Sequence, residues 1–139
     1  MIFDVLGRER AATFHPYRTL IGAGVTVNTG SDHMVILDHT DSINPYNPWL
    51  AIAVMVTRRT ERGTVITPRE AITREEALRC YTVNNAAATF EEDIKGTIEP
   101  GKCADFVVLD RDFFACPEEE IASIKPVMTV VNGRLVYGQ

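Results

Sequence analysis

The hydrophobic pattern of this 139-residue chain changes only once, near Lys95, and that change limits the folds that the chain can adopt. Before this point the apolar residues recur mostly at helical spacing, with one short β-branched run at Val25–Val27. After it the pattern is that of strands, over 96–98, 105–110, 127–131 and 134–137. Asn132 and Gly133 separate the last two runs, and Asn-Gly favours the type I′ turn of a tight hairpin. We therefore expect helices followed by a small antiparallel sheet.

Short local signals predict where the helices begin and end. Pro16 is suited to the first turn of a helix that closes at Gly24. Pro48 lies where a second helix could begin, and Trp49–Thr57 predicts an apolar helix buried on most sides. Thr73 and Glu76 form a T-x-x-E capping box, which predicts a helix from residue 74 and a second helical turn after it. The first two thirds of the chain should therefore be mainly helical.

Composition and charge argue against several classes of protein. The net charge is −5, with 19 acidic against 14 basic residues, so we expect no nucleic-acid partner and no affinity for anionic membranes. The longest apolar run, Leu50–Val56, is far shorter than the ~20 residues that span a bilayer, and the charged N-terminal residues do not match a signal peptide. Cys80, Cys103 and Cys116 contain no C-x-x-C pair, which predicts free, buried thiols. We expect a reduced, cytoplasmic protein.

Asp32 is the principal candidate for a catalytic residue. It follows the Val25–Val27 run, which predicts a buried strand, so its carboxylate would project from the carboxyl end of that strand, where barrel enzymes assemble their sites. A carboxylate there can ligate a divalent cation or take a proton from a metal-bound water. The neighbouring His33 is placed to contact a substrate. The structural alternative for Asp32 is an Asx-turn or helix-cap residue.

Two other groups of residues have weaker claims on function. The turn-rich segment 33–48 carries four residues of metal-ligand type, namely His33, Asp38, His39 and Asp41. Their spacing matches no closed structural metal site, so we interpret them as part of a loop. That loop would form a pocket wall with weak substrate contacts at Asn44, Tyr46 and Trp49. The pair Arg58-Arg59 follows the second predicted helix, and we interpret it as a solvated helix end rather than a phosphate site.

Four stretches, taken in order, resemble the C-terminal end of the amidohydrolase superfamily, in the branch of metal-dependent hydrolases grouped as amidohydrolase 3. Residues 95–110 read K-G-T-I-E-P-G-K-C-A-D-F-V-V-L-D and match the pattern G-x-I-x-P-G-K-x-A-D-h-V-V-L-D, in which h is apolar. Residues 130–137 contain the late pattern V-x-G-R-x-V. Residues 73–88 resemble the helices before these motifs, and residues 24–32 resemble the family's eighth barrel strand.

The resemblance implies a chemistry and a role for Asp32. Members of the family are eight-stranded barrels that bind one or two divalent cations, commonly zinc, and hydrolyse C–N bonds of amides, imides or cyclic ureides. By this resemblance Asp32 is the strand-eight aspartate that holds metal or activates the hydrolytic water. The family's H-x-H of strand one, its bridging lysine or acidic ligand and its histidines of strands five and six have no counterpart in these 139 residues. A complete barrel needs about 250 residues.

The sequence therefore predicts an α/β chain equivalent to the C-terminal portion of a TIM-barrel amidohydrolase. Residues 1–94 would supply the last barrel strand and its helices, and residues 95–139 half of a small β-sandwich. The complete enzyme would use a divalent metal, commonly zinc, and a small amide-like substrate. The chain alone should hold no metal, should be inactive, and should self-associate or pair with a complementing N-terminal chain. The alternatives are a non-catalytic interaction module that stands alone and one half of a split hydrolase.

Overall fold

A computed structural model of the chain describes residues 7, 9–11, 13–30, 47–60 and 63–138. The helices in this part of the chain are α1 (Tyr17–Gly22), α2 (Pro48–Thr57), α3 (Arg74–Tyr81) and α4 (Val83–Ala88), with 3₁₀ helices at Pro68–Glu70 and Glu118–Ser123. The strands are β1 (Phe106–Leu109), β2 (Pro126–Val131) and β3 (Arg134–Tyr137). This order confirms helices followed by a small antiparallel sheet. None of the helices in these ranges is long and apolar enough to cross a bilayer.

Helix α2 begins and ends where the sequence places it. Asn47 is the N-cap, and its side-chain oxygen accepts a hydrogen bond from the Trp49 N–H at 3.0 Å, while Pro48 occupies the first helical position. The helix ends at Arg58, whose φ of 55° lies in the left-handed region. Side chains around most of the helix are buried or half-buried, as predicted. The helix is therefore an internal element of the fold.

Helices α3 and α4 follow each other with a break at Thr82. The predicted capping box is present at the start of α3: Thr73 Oγ1 accepts from the Glu76 N–H at 3.2 Å, and Glu76 Oε2 accepts from the Thr73 N–H at 2.7 Å. Helix α3 buries Ala77 and Cys80. The second helical turn predicted after it is confirmed as α4. Together these helices form the wall on which residues 27–29 lie.

The hydrophobic core joins α2 to the 3₁₀ helix Glu118–Ser123. Ile52 and Met55 of α2 are 2% and 1% exposed, and Ile121 of the 3₁₀ helix is fully buried with them. Trp49 contacts Phe113 with ring centroids 5.3 Å apart, a separation typical of stabilising aromatic pairs. This core contains residues from both sides of Lys95. The proposed division of the chain into 1–94 and 95–139 stays a prediction.

The sheet has the order β1-β2-β3 and is antiparallel throughout. Phe106 lies opposite Val130, which in turn lies opposite Leu135. Asn132 and Gly133 connect β2 to β3 with φ values of 49° and 72°. A type I′ turn requires positive φ at both central residues, so the predicted Asn-Gly hairpin is confirmed.

The sheet leaves much apolar surface uncovered by the described residues. Five apolar side chains of β2 and β3 are between 48% and 60% exposed: Val127, Val131, Leu135, Val136 and Tyr137. A hairpin of this kind is only marginally stable unless a further layer covers it. The described residues therefore leave this hairpin without such a layer, and a partner for the sheet stays a prediction.

Two predicted strands are absent from the described residues. Val25–Val27 forms no strand ladder, Val25 is 49% exposed, and only Val27 is buried in this run. The prediction of a buried strand is wrong for the described residues, because a strand needs a neighbouring strand to pair its backbone groups and this segment lies against helices instead. The assignment of this segment to the last barrel strand stays a prediction. Gly96–Ile98 likewise forms no strand, and Ile98 is 81% exposed.

Arg58 corrects the interpretation of a solvated helix end. It is only 2% exposed, and its guanidinium donates to the Ile66 carbonyl at 3.1 Å, the Phe14 carbonyl at 3.0 Å and the Thr67 hydroxyl at 2.6 Å. Two of these acceptors belong to residues 66 and 67, which follow the helix, and the third belongs to Phe14, so three oxygens surround the guanidinium. The neighbouring Arg59 is exposed, as predicted.

The cysteines are free, as predicted, but only one is fully buried. Cys80 lies in the core, whereas Cys103 and Cys116 are half-buried. Cys116 lies on the loop that α3 holds through Arg74, whose Nη2 donates to the Cys116 carbonyl at 2.6 Å. The prediction of three buried thiols is therefore correct for Cys80 alone.

The capping box gives a direct test of the fold. We expect Thr73→Ala to lower the free energy of unfolding by about 1 kcal/mol, because the Glu76 N–H loses its acceptor. Thr73→Ser keeps the hydroxyl and should remain close to wild type. Urea denaturation followed by circular dichroism measures both variants, and equal stability of the alanine and serine variants would contradict the assignment.

Candidate functional site

The sequence candidates for catalysis lie outside the described residues. This holds for Asp32 and His33, and also for Asp38, His39, Asp41, Asn44 and Tyr46. Trp49 is described, and its side chain is buried against Phe113. The structure therefore describes the segment that leads to Asp32, residues 25–30, and the elements that hold it.

Helices α3 and α4 hold this segment through three hydrogen bonds. Asn84 Nδ2 donates to the Val27 carbonyl at 2.6 Å, and Asn85 Nδ2 donates to the Thr29 carbonyl at 2.9 Å. The Thr29 N–H donates to the Cys80 carbonyl at 3.2 Å. Residues 27–29, which precede Asp32 in the chain, are thus hydrogen-bonded to the junction between α3 and α4.

The break between α3 and α4 makes these contacts possible. Carbonyls in the last turn of a helix have no partner within the helix, and the Cys80 carbonyl in the last turn of α3 accepts from Thr29. Asn84 and Asn85 lie in the first turn of α4, so their side chains reach the same segment. Sequence reasoning missed both asparagines. The signal that could have found them is a pair of poor helix formers beside a run of alanines.

Two tyrosines and a buried arginine lie next to this segment. Burial raises the pKa of Tyr17 and of Tyr81, and a hydrogen bond with Thr29 opposes this shift in both. The Arg58 guanidinium lies over the Tyr17 ring, 5.5 Å from its centroid, and burial lowers the pKa of Arg58. Both phenols therefore stay neutral near pH 7 and act as polar packing groups.

Two carboxylates near the site have structural partners that fasten α1. Glu70 accepts hydrogen bonds from the Thr19 N–H at 2.9 Å and the Thr19 hydroxyl at 2.7 Å, and the hydroxyl bond is the main reason that the pKa of Glu70 is lowered. Glu76 accepts a bidentate pair from Arg18, with both distances 2.7 Å, and this pair lowers its pKa. Neither carboxylate is available as a catalytic base.

The described residues do not form a metal site. In the ranges that the structure covers, no group of three or more His, Cys, Asp and Glu side chains could hold a metal ion. Protein zinc sites use three or four such ligands. These residues alone therefore do not fit the family's cation, and we assign no step through a metal to them.

A cleft of about 910 Å³ lies between the helices and the sheet. Its border is largely apolar and includes Trp49, Tyr81, Asn85, Ile98, Phe106 and Val130. Pockets of this size and character bind small molecules or segments of protein. The cleft shows that the sheet and α3–α4 leave space between them rather than packing directly together.

Comparison with known proteins identifies the family. The sequence profile of the Amidohydrolase family matches residues 1–137. The chain belongs to the amidohydrolase family. It is 38% identical over 122 residues to an N-substituted formamide deformylase of Arthrobacter pascens, covering 88% of this chain and 21% of the relative. It is 32% identical over 126 residues to an imidazolonepropionase of Porphyromonas gingivalis, covering 91% of this chain and 26% of the relative.

A solved amidohydrolase shares the fold. The crystal structure of an amidohydrolase from Thermotoga maritima matches with a TM-score of 0.59 and 24% identity, over 88% of this chain and 26% of that protein. The fold of this chain is thus consistent with part of a larger amidohydrolase fold. The chain spans between a fifth and about a quarter of the length of the relatives it matches. The resemblance stated from the sequence motifs is confirmed, and the family is one of hydrolases.

The lowered carboxyl pKa values predict the response of this amidohydrolase chain to acid. Glu70 and Glu76 both titrate below the ordinary value of 4.5 when the chain is folded. Their stabilising contribution is therefore complete above that value and is lost as the pH falls through the lower, folded-state pKa. We expect Glu76→Gln to lower the urea midpoint at pH 7 and to weaken its decline between about pH 5 and pH 2.

Glu75→Gln is the matched control. It removes the same charge from an exposed position one residue away, and we expect its acid profile to follow wild type. Identical profiles for the two glutamine variants would contradict the role given to the Arg18 pair.

Proposed function

We propose that this chain is the C-terminal part of a metal-dependent hydrolase that cleaves C–N bonds of small amide-like or imide-like substrates in the cytoplasm. The observation that carries the proposal is the family match over residues 1–137, in a chain that covers only 21% to 26% of its relatives. The relative named for the deformylation of N-substituted formamides supports an amide-like substrate class. The chain by itself would be inactive.

Asp32 is the residue that we propose for catalysis. It would give one carboxylate to a divalent cation, commonly zinc in this family, or accept the proton of the attacking water, and His33 would contact the substrate. When bound, such a cation lowers the pKa of its water toward neutrality. A single carboxylate is too few ligands for a zinc site, so the other ligands would come from a complementing segment.

The uncovered surfaces support a complementing partner. Residues 1–94 would contribute the end of the barrel, and residues 95–139 half of a small β-sandwich. The apolar residues of β2 and β3 lie half-exposed, and the cleft separates the sheet from α3 and α4. A further polypeptide that covers these surfaces would remove the exposure that a single chain retains.

Complementation tests the proposed function. The 139-residue chain is co-expressed with the Arthrobacter pascens deformylase from which the region matched by this chain has been deleted, and formate release from an N-substituted formamide is measured. We expect hydrolysis only when both polypeptides are present, and a loss of about 100-fold or more in kcat with Asp32→Asn. Asp93→Asn, at an exposed position outside this segment, is the control and should retain activity.

Several outcomes would overturn parts of this proposal. Hydrolysis by the chain alone would contradict its inactivity. Stoichiometric zinc retained by the isolated chain after desalting would favour the cluster of His33, Asp38, His39 and Asp41 instead. Equal activity of Asp32→Asn and wild type in the complemented enzyme would remove the role of Asp32.

An interaction module without catalysis is the second candidate, and the exposed sheet is the observation that favours it. If the uncovered face mediates association, a charge placed on it should weaken that association. We expect Leu135→Lys, at a residue 52% exposed, to shift the isolated chain toward monomer in sedimentation velocity. Glu119→Lys, at an exposed acidic position away from the sheet, is the control. A stable wild-type monomer at all concentrations would contradict association through this face.

A further inference from the structure

The hydrogen bonds to residues 27–29 follow the pattern of a strand beside a neighbour. Both the N–H and the C=O of Thr29 are directed to the α3–α4 junction, and the carbonyl of Val27, two residues earlier, is directed there too. In an extended chain the backbone groups of residues i and i+2 point to the same edge. One edge of this segment is therefore paired with helix groups in place of another strand.

The side-chain amides are the groups that replace strand N–H donors. Because Val27 and Thr29 present carbonyl oxygens, the nitrogen of each asparagine amide must face them. Asn85 Nδ2 also contacts the Tyr81 carbonyl at 3.3 Å, which further fixes its orientation. Both asparagine side chains are half-buried. These are constrained contacts rather than flexible surface contacts.

The local sequence argues that the asparagines are present for these contacts. Helix α4 reads V-N-N-A-A-A, and asparagine is a weaker helix former than alanine because its side chain competes for backbone hydrogen bonds. Residues that conflict with local structure often mark positions with another role. Here the cost to the helix is offset by two bonds to a segment more than fifty residues away in the chain.

We infer that Asn84 and Asn85 are positioning residues, which hold the backbone of Val27–Thr29 by supplying the donors of a neighbouring strand. The chain continues from this segment to Asp32, so the two asparagines orient the route to the proposed catalytic carboxylate. That consequence rests on the proposed function. The holding of Val27–Thr29 stands on the geometry alone.

Isosteric variants separate a donor role from simple space filling. Asparagine and aspartate have nearly the same shape, but an ionised carboxylate cannot donate and is repelled by the Val27 carbonyl. If Asn84 only fills space, Asn84→Asp should behave as wild type. If it is a donor, Asn84→Asp should free the segment at pH 7 and hold it again when the carboxyl becomes protonated, because the neutral acid can donate.

Hydrogen exchange measured by mass spectrometry on the full chain tests the inference. For a peptide that covers residues 26–30, we expect Asn84→Ala and Asn85→Ala each to lower protection about fivefold to tenfold, the effect of losing one partly buried hydrogen bond. Asn84→Asp should show the same loss at pH 7 and regain protection, relative to wild type at the same pH, once the pH falls below the ordinary aspartate pKa of about 3.9. Protection of a β2 peptide, residues 126–131, should not change, and Asn28→Ala at an exposed position of the segment is the matched control.

Two results would overturn the inference. The first is wild-type protection of residues 26–30 in the Asn84→Ala/Asn85→Ala double variant. The second is protection in Asn84→Asp that equals wild type at pH 7, because space filling then suffices.

The consequence for catalysis is tested separately in the complemented enzyme. The double variant should lower kcat about tenfold or more with little change in KM, because misplacement of a reacting group acts mainly on the chemical step. Unchanged kcat would overturn the positioning of Asp32. If the wild-type pair shows no hydrolysis, the proposed function has failed, while the exchange measurement still decides whether the asparagines hold the segment.

Discussion

The contact between α2 and the 3₁₀ helix at residues 118–123 is the interaction on which the rest of the structure depends. Ile52 and Met55 meet Ile121 in the most deeply buried part of the core, and Asn47 adds a hydrogen bond from its side-chain amide to the Ala122 carbonyl at 2.9 Å. Burial of large aliphatic side chains is the main favourable term in folding. Because this contact joins the helical part of the chain to the part that carries the sheet, α3 and the segment beside it acquire fixed positions.

Charged side chains attach α1 to the rest of the fold through hydrogen bonds and an ion pair. Glu76 has two uses, since it completes the capping box of α3 and binds Arg18 with both carboxylate oxygens. Glu70 accepts two hydrogen bonds from Thr19, and the buried Arg58 is paired with carbonyl and hydroxyl oxygens. Buried charges are tolerated only when such partners are present. Every buried side-chain polar atom of the described residues has a hydrogen-bond partner. Glu70, Glu76 and Arg58 therefore stabilise the fold and are not assigned a catalytic role.

The described surfaces are consistent with a segment that covers between 21% and 26% of the length of its relatives. Its own core is small but continuous, whereas its sheet and its cleft present apolar surface to the outside. The segment at residues 27–29 is paired along one edge by helix groups. Each of these features is a surface that a second polypeptide could extend, and none of the described residues supplies a metal centre. The catalytic proposal therefore depends on Asp32 and on the further metal ligands that a complementing segment would supply.

Interactions within a few residues were determined by the sequence itself. The Thr73 capping box, the Pro48 start of α2 and the Asn132-Gly133 hairpin turn were all predictable, because each depends on neighbours in the chain and on intrinsic backbone preferences. The family was also readable, since its motifs are contiguous. Tertiary structure decided the rest. Val25–Val27 forms no strand ladder among the described residues because the groups beside it belong to helices. Arg58 is buried because the Phe14 carbonyl, distant in the chain, accepts from its side chain. Asn84 acquires its role from a segment more than fifty residues away, and no local pattern records such a partner.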